Sequence, residues 1–193
     1  MIILGISAFY HDSAATLVID GSIIAAVQEE RFSRKKHDHS YPKHSIKYCL
    51  ENAAIEPCDI DYVVFYDKPL SKFNRLLKTY FAFAPNGLTS FRESIPIWLK
   101  NKFFQKQDVL KELMLMDSDV DWSSKLLFSE HHLSHAASAF YPSPFSQAAV
   151  LTMDGVGEST TTSLAIGNGK DLKIIREIHF PHSLGLLYSA FTY

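Results

Sequence analysis

"IILGISAFYHDSAATLVIDGSIIAAVQ" (residues 2–28) decides how this chain folds. Residues 2–6 are an apolar, β-branched run bounded by Ser7 and Ala8, the pattern of a buried strand. Residues 14–28 hold two further apolar stretches on either side of Asp20-Gly21, a dipeptide that favours a tight hairpin turn. The stretch therefore reads as strand, loop, strand, turn, strand.

The same pattern returns near the other end of the chain. "AAVLTM" (148–153), the loop "DGVGEST" (154–160), "TTSLAI" (161–166), the turn "GNGKD" and "LKIIREIHF" (172–180) repeat the plan. A shift of 147 positions lays Ile3 on Val150, Ile6 on Met153, Leu17 on Leu164 and Ile19 on Ile166. Few identities accompany the shift, so the repeat is one of pattern, and a coincidence of two meanders is the alternative.

Between the two meanders the periodicity changes. "EERFSRKKHDHSYPKH" (29–44) is charged and reads as a loop running into Pro42. A helix is expected from about 42 to 54, with Ile46, Cys49, Leu50 and Ala53 on one face. "DIDYVVFYD" (59–67) reads as a strand. From 69 to about 80 the spacing of Phe73, Leu76, Leu77, Tyr80 and Phe81 predicts an amphipathic helix. Residues 90–116 also read as helical, "KLLFSE" (125–130) as a short strand, and "HHLSHAASAFYPSPF" as a helix that Ser143-Pro144 ends. "PHSLGLLYSAFTY" (181–193) reads as a helix start.

A repeated three-stranded meander, each followed by helix and strand, is the ground plan of the actin/hexokinase/Hsp70 (ribonuclease H-like) α/β fold. On that plan residues 1–146 form a complete first subdomain with a helical insertion at about 69–120. Residues 147–193 form the opening meander and helix of a second subdomain, and the chain is expected to be a piece of something longer.

Composition narrows the function classes. The chain has 193 residues, 47% apolar and 21% charged, with a formal net charge of −2. That balance points to a folded protein without a general basic surface for nucleic acid or membrane. Nothing at the start resembles a leader peptide and no apolar run reaches a membrane span, so a cytoplasmic location is expected. Cys49 and Cys58 stand in no metal or redox spacing and read as reduced thiols.

Four stretches could carry chemistry. The loop "AFYHDSAA" (8–15) follows the first strand. Small residues and Ser13 would let backbone amides approach an anion, Asp12 could hold magnesium through water, and His11 is a candidate proton carrier. A plain Asx turn is the alternative. "DGVGES" (154–159) holds the equivalent place in the second meander. Gly155 and Gly157 would permit close approach to phosphate, with Asp154 and Glu158 beside them; a glycine-rich hairpin turn is the alternative. In "EERFSRKKHD" (29–38), Arg31 and Lys36 could contact an anion, although a solvated charged loop is the commoner reading of such runs. His131 and His135, at i and i+4, share a helix face and suit one metal ion. His132 lies about 100° round the helix and off that face. Two ligands are too few, so a carboxylate from elsewhere must complete the set.

Taken together, "GISAFYHDSAATLVIDGSIIAAVQEERFSRKKHD", "FYDKPLSKFNRLL", "SEHHLSHAASAFYPSPF" and "TMDGVGESTT" resemble the N-terminal region of the O-carbamoyltransferases. That family includes the nodulation protein U type and tailoring enzymes of the tobramycin and cephamycin pathways. The resemblance covers the whole chain in order. It implies a YrdC-like C-terminal domain that makes carbamoyl-adenylate from carbamoyl phosphate and ATP. The N-terminal part then moves the carbamoyl group to a hydroxyl of a sugar or natural product. It also implies a metal, commonly iron, on the histidines matching His131 and His135, with an aspartate from much later in the chain as third ligand. That ligand has no match within these residues, so the piece alone is expected to be inactive. His11 and Asp12 are the expected catalytic pair. Ser13, Arg31, Lys36, Asp154, Gly155, Gly157 and Glu158 are the expected substrate and nucleotide contacts. A homodimer is compatible with the resemblance. A non-catalytic nucleotide-binding module of the same fold is the alternative. A sugar kinase is disfavoured, because Ser7 stands where those enzymes carry aspartate.

Overall fold

The computed structural model describes residues 1–89, 91–93 and 105–192. The chain is a mixed α/β protein with two sheets and divides into two compact units, Met1–Tyr66 with Phe104–Phe128, and Asp67–Phe103 with Ser129–Tyr193.

In the first unit, β1 (Ile2–Ser7), β2 (Ala14–Ile19) and β3 (Ser22–Gln28) form the antiparallel meander that the opening stretch predicts. Asp20 and Gly21 join β2 to β3 with φ of 50° and 85°. Positive φ at both positions is the twist that a two-residue hairpin requires, and glycine supplies it without a Cβ clash. The chain then makes α1 (Glu30–Ser33) and α2 (Lys43–Ala53), and returns as β4 (Tyr62–Phe65), parallel to β1. After α3 (Pro69–Phe83), α4 (Gln105–Met116) and α5 (Trp122–Lys125), β5 (Leu126–Phe128) adds parallel to β4. The sheet order is β3-β2-β1-β4-β5.

Alternation along β1, β2 and β4 turns Leu4, Ile6, Leu17, Val63 and Phe65 to one face. There they pack with Ile46, Cys49 and Leu50 of α2, Val109 and Leu113 of α4, and Trp122. Burying each such side chain contributes roughly 1.5–3 kcal/mol.

One expectation changes here. Residues 29–44 are not all loop: Glu30–Ser33 form one helical turn, which Arg34 ends in the left-handed conformation at φ 58°. Of the expected helix over 90–116, residues 91–93 and Gln105–Met116 are helical, and residues 90 and 94–104 lie outside the described residues.

The second unit contains β6 (Gln147–Met153), β7 (Thr160–Asn168) and β8 (Asp171–His179), all antiparallel, with α6 (His131–Phe140) and α7 (Leu184–Thr192). One face of α6 packs on this sheet. Ala136 and Phe140 are buried with Val150 and Ala165, and Gly167 leaves room for the Phe140 ring, which an added Cβ would meet at 2.4 Å. Because α6 packs on this sheet, it sits with the second unit, as does α3. The compact units divide at Tyr66/Asp67, Phe103/Phe104 and Phe128/Ser129.

The repeat itself goes beyond pattern. Ile2↔Ile19 and Leu4↔Leu17 pair in the first meander, and Ala149↔Ile166 and Leu151↔Leu164, the same positions after the 147-residue shift, pair in the second. The register irregularity between Leu17 and Val18 recurs between Leu164 and Ala165. A shared register and a shared bulge position argue for duplication over coincidence, because either could vary freely between unrelated hairpins. Among the described residues no helix is long and apolar enough to cross a membrane.

Candidate metal centre

The site is assembled at the start of α6 and the end of β6. One helical turn puts His135 over His131, their Nε2 atoms 3.1 Å apart and their rings perpendicular. Asp154 immediately follows β6, and its backbone N–H extends the ladder to the Thr161 carbonyl at 2.8 Å. Its Oδ2 lies 2.9 Å from His131 Nε2, while Oδ1 accepts from the Gly155 N–H at 2.7 Å. One donor atom each from His131, His135 and Asp154 lies within 4.8 Å of the other two.

This arrangement fits a divalent ion. A neutral imidazole carries a single N–H, yet His131 Nε2 faces both a carboxylate oxygen and a second imidazole nitrogen. Three lone pairs converging on one point is an arrangement that a cation satisfies. Two imidazoles and a carboxylate suit iron or zinc, and do not select between them. The hydrogen bond with His131 holds the Asp154 carboxyl down at about 2. Burial, then the charge of His131, lowers His135. These shifts favour an ionised Asp154 and a neutral His135, while a metal would have to displace the proton that His131 Nε2 shares with Asp154.

The surrounding loop is built for close approach. A Cβ on Gly157 would fall 2.5 Å from the His131 ring and 2.8 Å from Asp154 Oδ2, so no larger residue fits there without moving the triad. Arg75 Nη1 donates to the Gly157 and Glu158 carbonyls, both at 2.9 Å. Ser183 Oγ donates to the Asp154 and Gly155 carbonyls at 3.0 and 2.7 Å. Gly185, at the start of α7, lies so near the Asp154 backbone that a Cβ would come within 2.5 Å of its carbonyl oxygen. The Glu158 carboxylate accepts the Lys68 N–H at 2.7 Å, and burial pushes Glu158 up to about 7. His132 faces the sheet instead, its Nδ1 within hydrogen-bond reach of Thr152 Oγ1 at 2.8 Å.

Asp154 thus stands with the histidines and offers a third donor atom from within these residues, beside the later aspartate that the resemblance implies. Gly155, Gly157 and Glu158 share its loop. The other expected site residues lie in the first unit. Asp12 bridges two imidazoles: its Oδ2 is 2.8 Å from His11 Nδ1 and its Oδ1 is 2.9 Å from His37 Nδ1. Those bonds, His37 first, hold its carboxyl below the usual range. Phe9, Asp12 and His37 all adopt positive φ. Ser13 is buried, its N–H given to the Asp38 carbonyl and its carbonyl accepting from Glu29. Lys36 is exposed, and exposed Arg31 pairs with Glu30 at 3.4 Å.

Arg75, Lys68, Ser183 and Gly185 escape the sequence reading as site residues, while His37 enters it only within the charged run 29–38. Only Gly185 carries a local signal, a glycine opening an otherwise apolar helix, where close backbone approach is the usual reason.

Residues 2–193 match the family model described as carbamoyltransferase N-terminus. An uncharacterized Synechocystis protein, sll1178, is 62% identical over 99% of this chain and 31% of its own length. The nodulation protein NolNO of Sinorhizobium fredii is 39% identical over 94% of the chain and 25% of its own length. The uncharacterized protein MJ1051 of Methanocaldococcus jannaschii is 26% identical over 94% of the chain and 28% of its own length. The chain therefore spans about a quarter to a third of the length of these relatives.

Proposed function

The chain belongs to the carbamoyltransferase N-terminal family, and on that premise we propose that it is the N-terminal part of an ATP-dependent O-carbamoyltransferase. The whole protein would form carbamoyl-adenylate from carbamoyl phosphate and ATP in a YrdC-like domain. It would then move the carbamoyl group to a hydroxyl of a sugar or natural product, in the cytoplasm. The observation that carries the reading is the convergence of His131, His135 and Asp154 within 4.8 Å.

A divalent ion there, iron by family habit, supplies positive charge where the carbonyl oxygen becomes negative. The chain's own residues do the rest. Asp154 and the two histidines keep the ligand set ionised and oriented. Gly155 and Gly157 keep the loop low enough for a substrate to reach it. His11, hydrogen-bonded to Asp12, would exchange the acceptor's proton, and Arg31 and Lys36 would be anion contacts. Magnesium could join ATP through Asp12.

The fold reading belongs to the same proposal. Two meanders in one register, the first extended by two parallel strands, support an actin/hexokinase-type plan with a complete first half and the opening of a second.

Transfer of labelled carbamoyl from carbamoyl phosphate to a panel of sugars and aminoglycosides tests this in the full-length protein. The variant His131→Ala with His135→Ala should lose bound metal and transfer together. Normal transfer by that variant would sink the metal assignment. ATP binding without transfer by the unaltered protein would favour a non-catalytic nucleotide-binding module.

A further inference from the structure

The second unit holds an aromatic pocket of about 430 Å³ that the metal triad does not use. Its walls are Thr79, Tyr80 and Phe83 of α3, with Phe91, Val156 and Phe180. Tyr80 and Phe91 stack with centroids 4.1 Å apart and planes 13° from parallel. Arg75 closes one side, its guanidinium carbon 5.6 Å from the Phe180 ring centroid.

Three observations tie this pocket to the reaction centre. Val156, in its wall, lies between Gly155 and Gly157, the residue against which His131 and Asp154 pack. Arg75 lines both this pocket and a neighbouring polar one of about 270 Å³, whose lining includes Lys78, His132, Glu158 and Thr160. Arg75 Nη1 donates to the Gly157 and Glu158 carbonyls, so the same side chain that walls the pocket braces the loop. What the pocket offers is therefore ring faces and methyl groups, in a volume typical of small-molecule sites.

We propose that this pocket is the apolar subsite for the acceptor. It takes the aromatic or hydrocarbon face of a hydroxyl-bearing molecule and leaves the polar end over the 154–158 loop. The inference rests on the carbamoyl-transfer reading and narrows its acceptor to amphipathic molecules.

The test is a saturation-transfer NMR titration of the chain with para-nitrophenyl β-glucoside and with glucose. The aryl glucoside should bind at least about tenfold more tightly than glucose, as expected for one buried ring. Thr79→Trp, which fills the pocket, and Phe83→Ala, which removes an exposed part of its wall, should each erase that difference. Cobalt(II) absorption on His131, His135 and Asp154 should stay unchanged in both. Equal binding of the two probes, or an aryl preference that survives Thr79→Trp, overturns the proposal. So does a concentration-dependent dimer abolished by Phe83→Ala, which assigns the pocket to a second copy. Should Thr79→Trp fail to fold by far-ultraviolet circular dichroism, Phe83→Ala alone decides. Absence of cobalt binding by the unaltered chain counts against the metal reading and leaves the pocket's own result standing.

Discussion

Gly157 shows how one residue can fix the chemistry of this unit. Its missing Cβ is the space that the His131 ring and the Asp154 carboxylate occupy. Gly157→Ala should therefore weaken cobalt(II) binding by about tenfold or more, the scale on which supporting residues tune a metal site, read by absorption titration. Its neighbour Glu158 makes a separate prediction, because burial raises its carboxyl from 4.5 to about 7. Between those values the folded protein holds a proton that the unfolded chain has released. Stability should fall as pH rises through that window, by no more than about 1.4 kcal/mol per pH unit for one proton. Glu158→Gln keeps an acceptor for the Lys68 N–H and removes the titration. Urea unfolding of metal-free protein across the window should then show a flatter profile for the variant. An identical slope in both proteins would mean that Glu158 is ionised in the fold.

At the scale of elements, α2 depends on a residue outside it. Glu29 is 2% exposed and lies beyond the helix, yet its Oε2 accepts from the Ser45 N–H at 2.9 Å and from the Ser45 hydroxyl at 2.8 Å. Oε1 takes the His44 N–H at 3.3 Å. Burial works to raise this carboxyl, but the bonds from Ser45 and His44 outweigh it and hold it below the ordinary range. Glu29→Ala leaves buried donors without an acceptor and should cost about 1–3 kcal/mol in urea unfolding, with Glu29→Gln recovering part of the loss. Nothing in "EERFSRKKHD" announces that role, because the partners sit 15 and 16 residues further on. The Asp20-Gly21 turn, by contrast, was legible because its conformation is decided by the two residues themselves. The histidine pair was legible for the same local reason. Asp154 reads from the sequence as a nucleotide contact, since no local pattern says which face of a loop will meet a helix 23 residues earlier. Arg75, which braces that loop across 82 residues, had no signal at all.

At the scale of the molecule, the two meanders share a register but not a fate. Leu4, Ile6 and Leu17 line the first unit's core at 0%, 3% and 0% exposure, packed with α2 and α4. Their counterparts after the 147-residue shift include Leu151 and Met153, at 59% and 60%. In the second unit α6 packs on the other face, where Val150, Thr152 and Ala165 are buried. Identical pairing geometry thus packs one apolar face against helices, while its equivalent is left uncovered by the described residues. Packing, not strand chemistry, should then set the energetic weight of each leucine. Leu4→Ala removes buried methyl groups and leaves a cavity, a change that costs about 2–5 kcal/mol. Leu151→Ala, at the register-equivalent site, should stay within about 0.5 kcal/mol, as surface substitutions do. Urea unfolding of the two variants measures both under the same conditions. The exposed face should also bind an apolar dye such as anilinonaphthalene sulfonate in the native state, and Met153→Glu should reduce that signal without changing the unfolding midpoint. If Leu151→Ala proves as damaging as Leu4→Ala, the face is buried in solution, and the asymmetry between the two meanders is wrong.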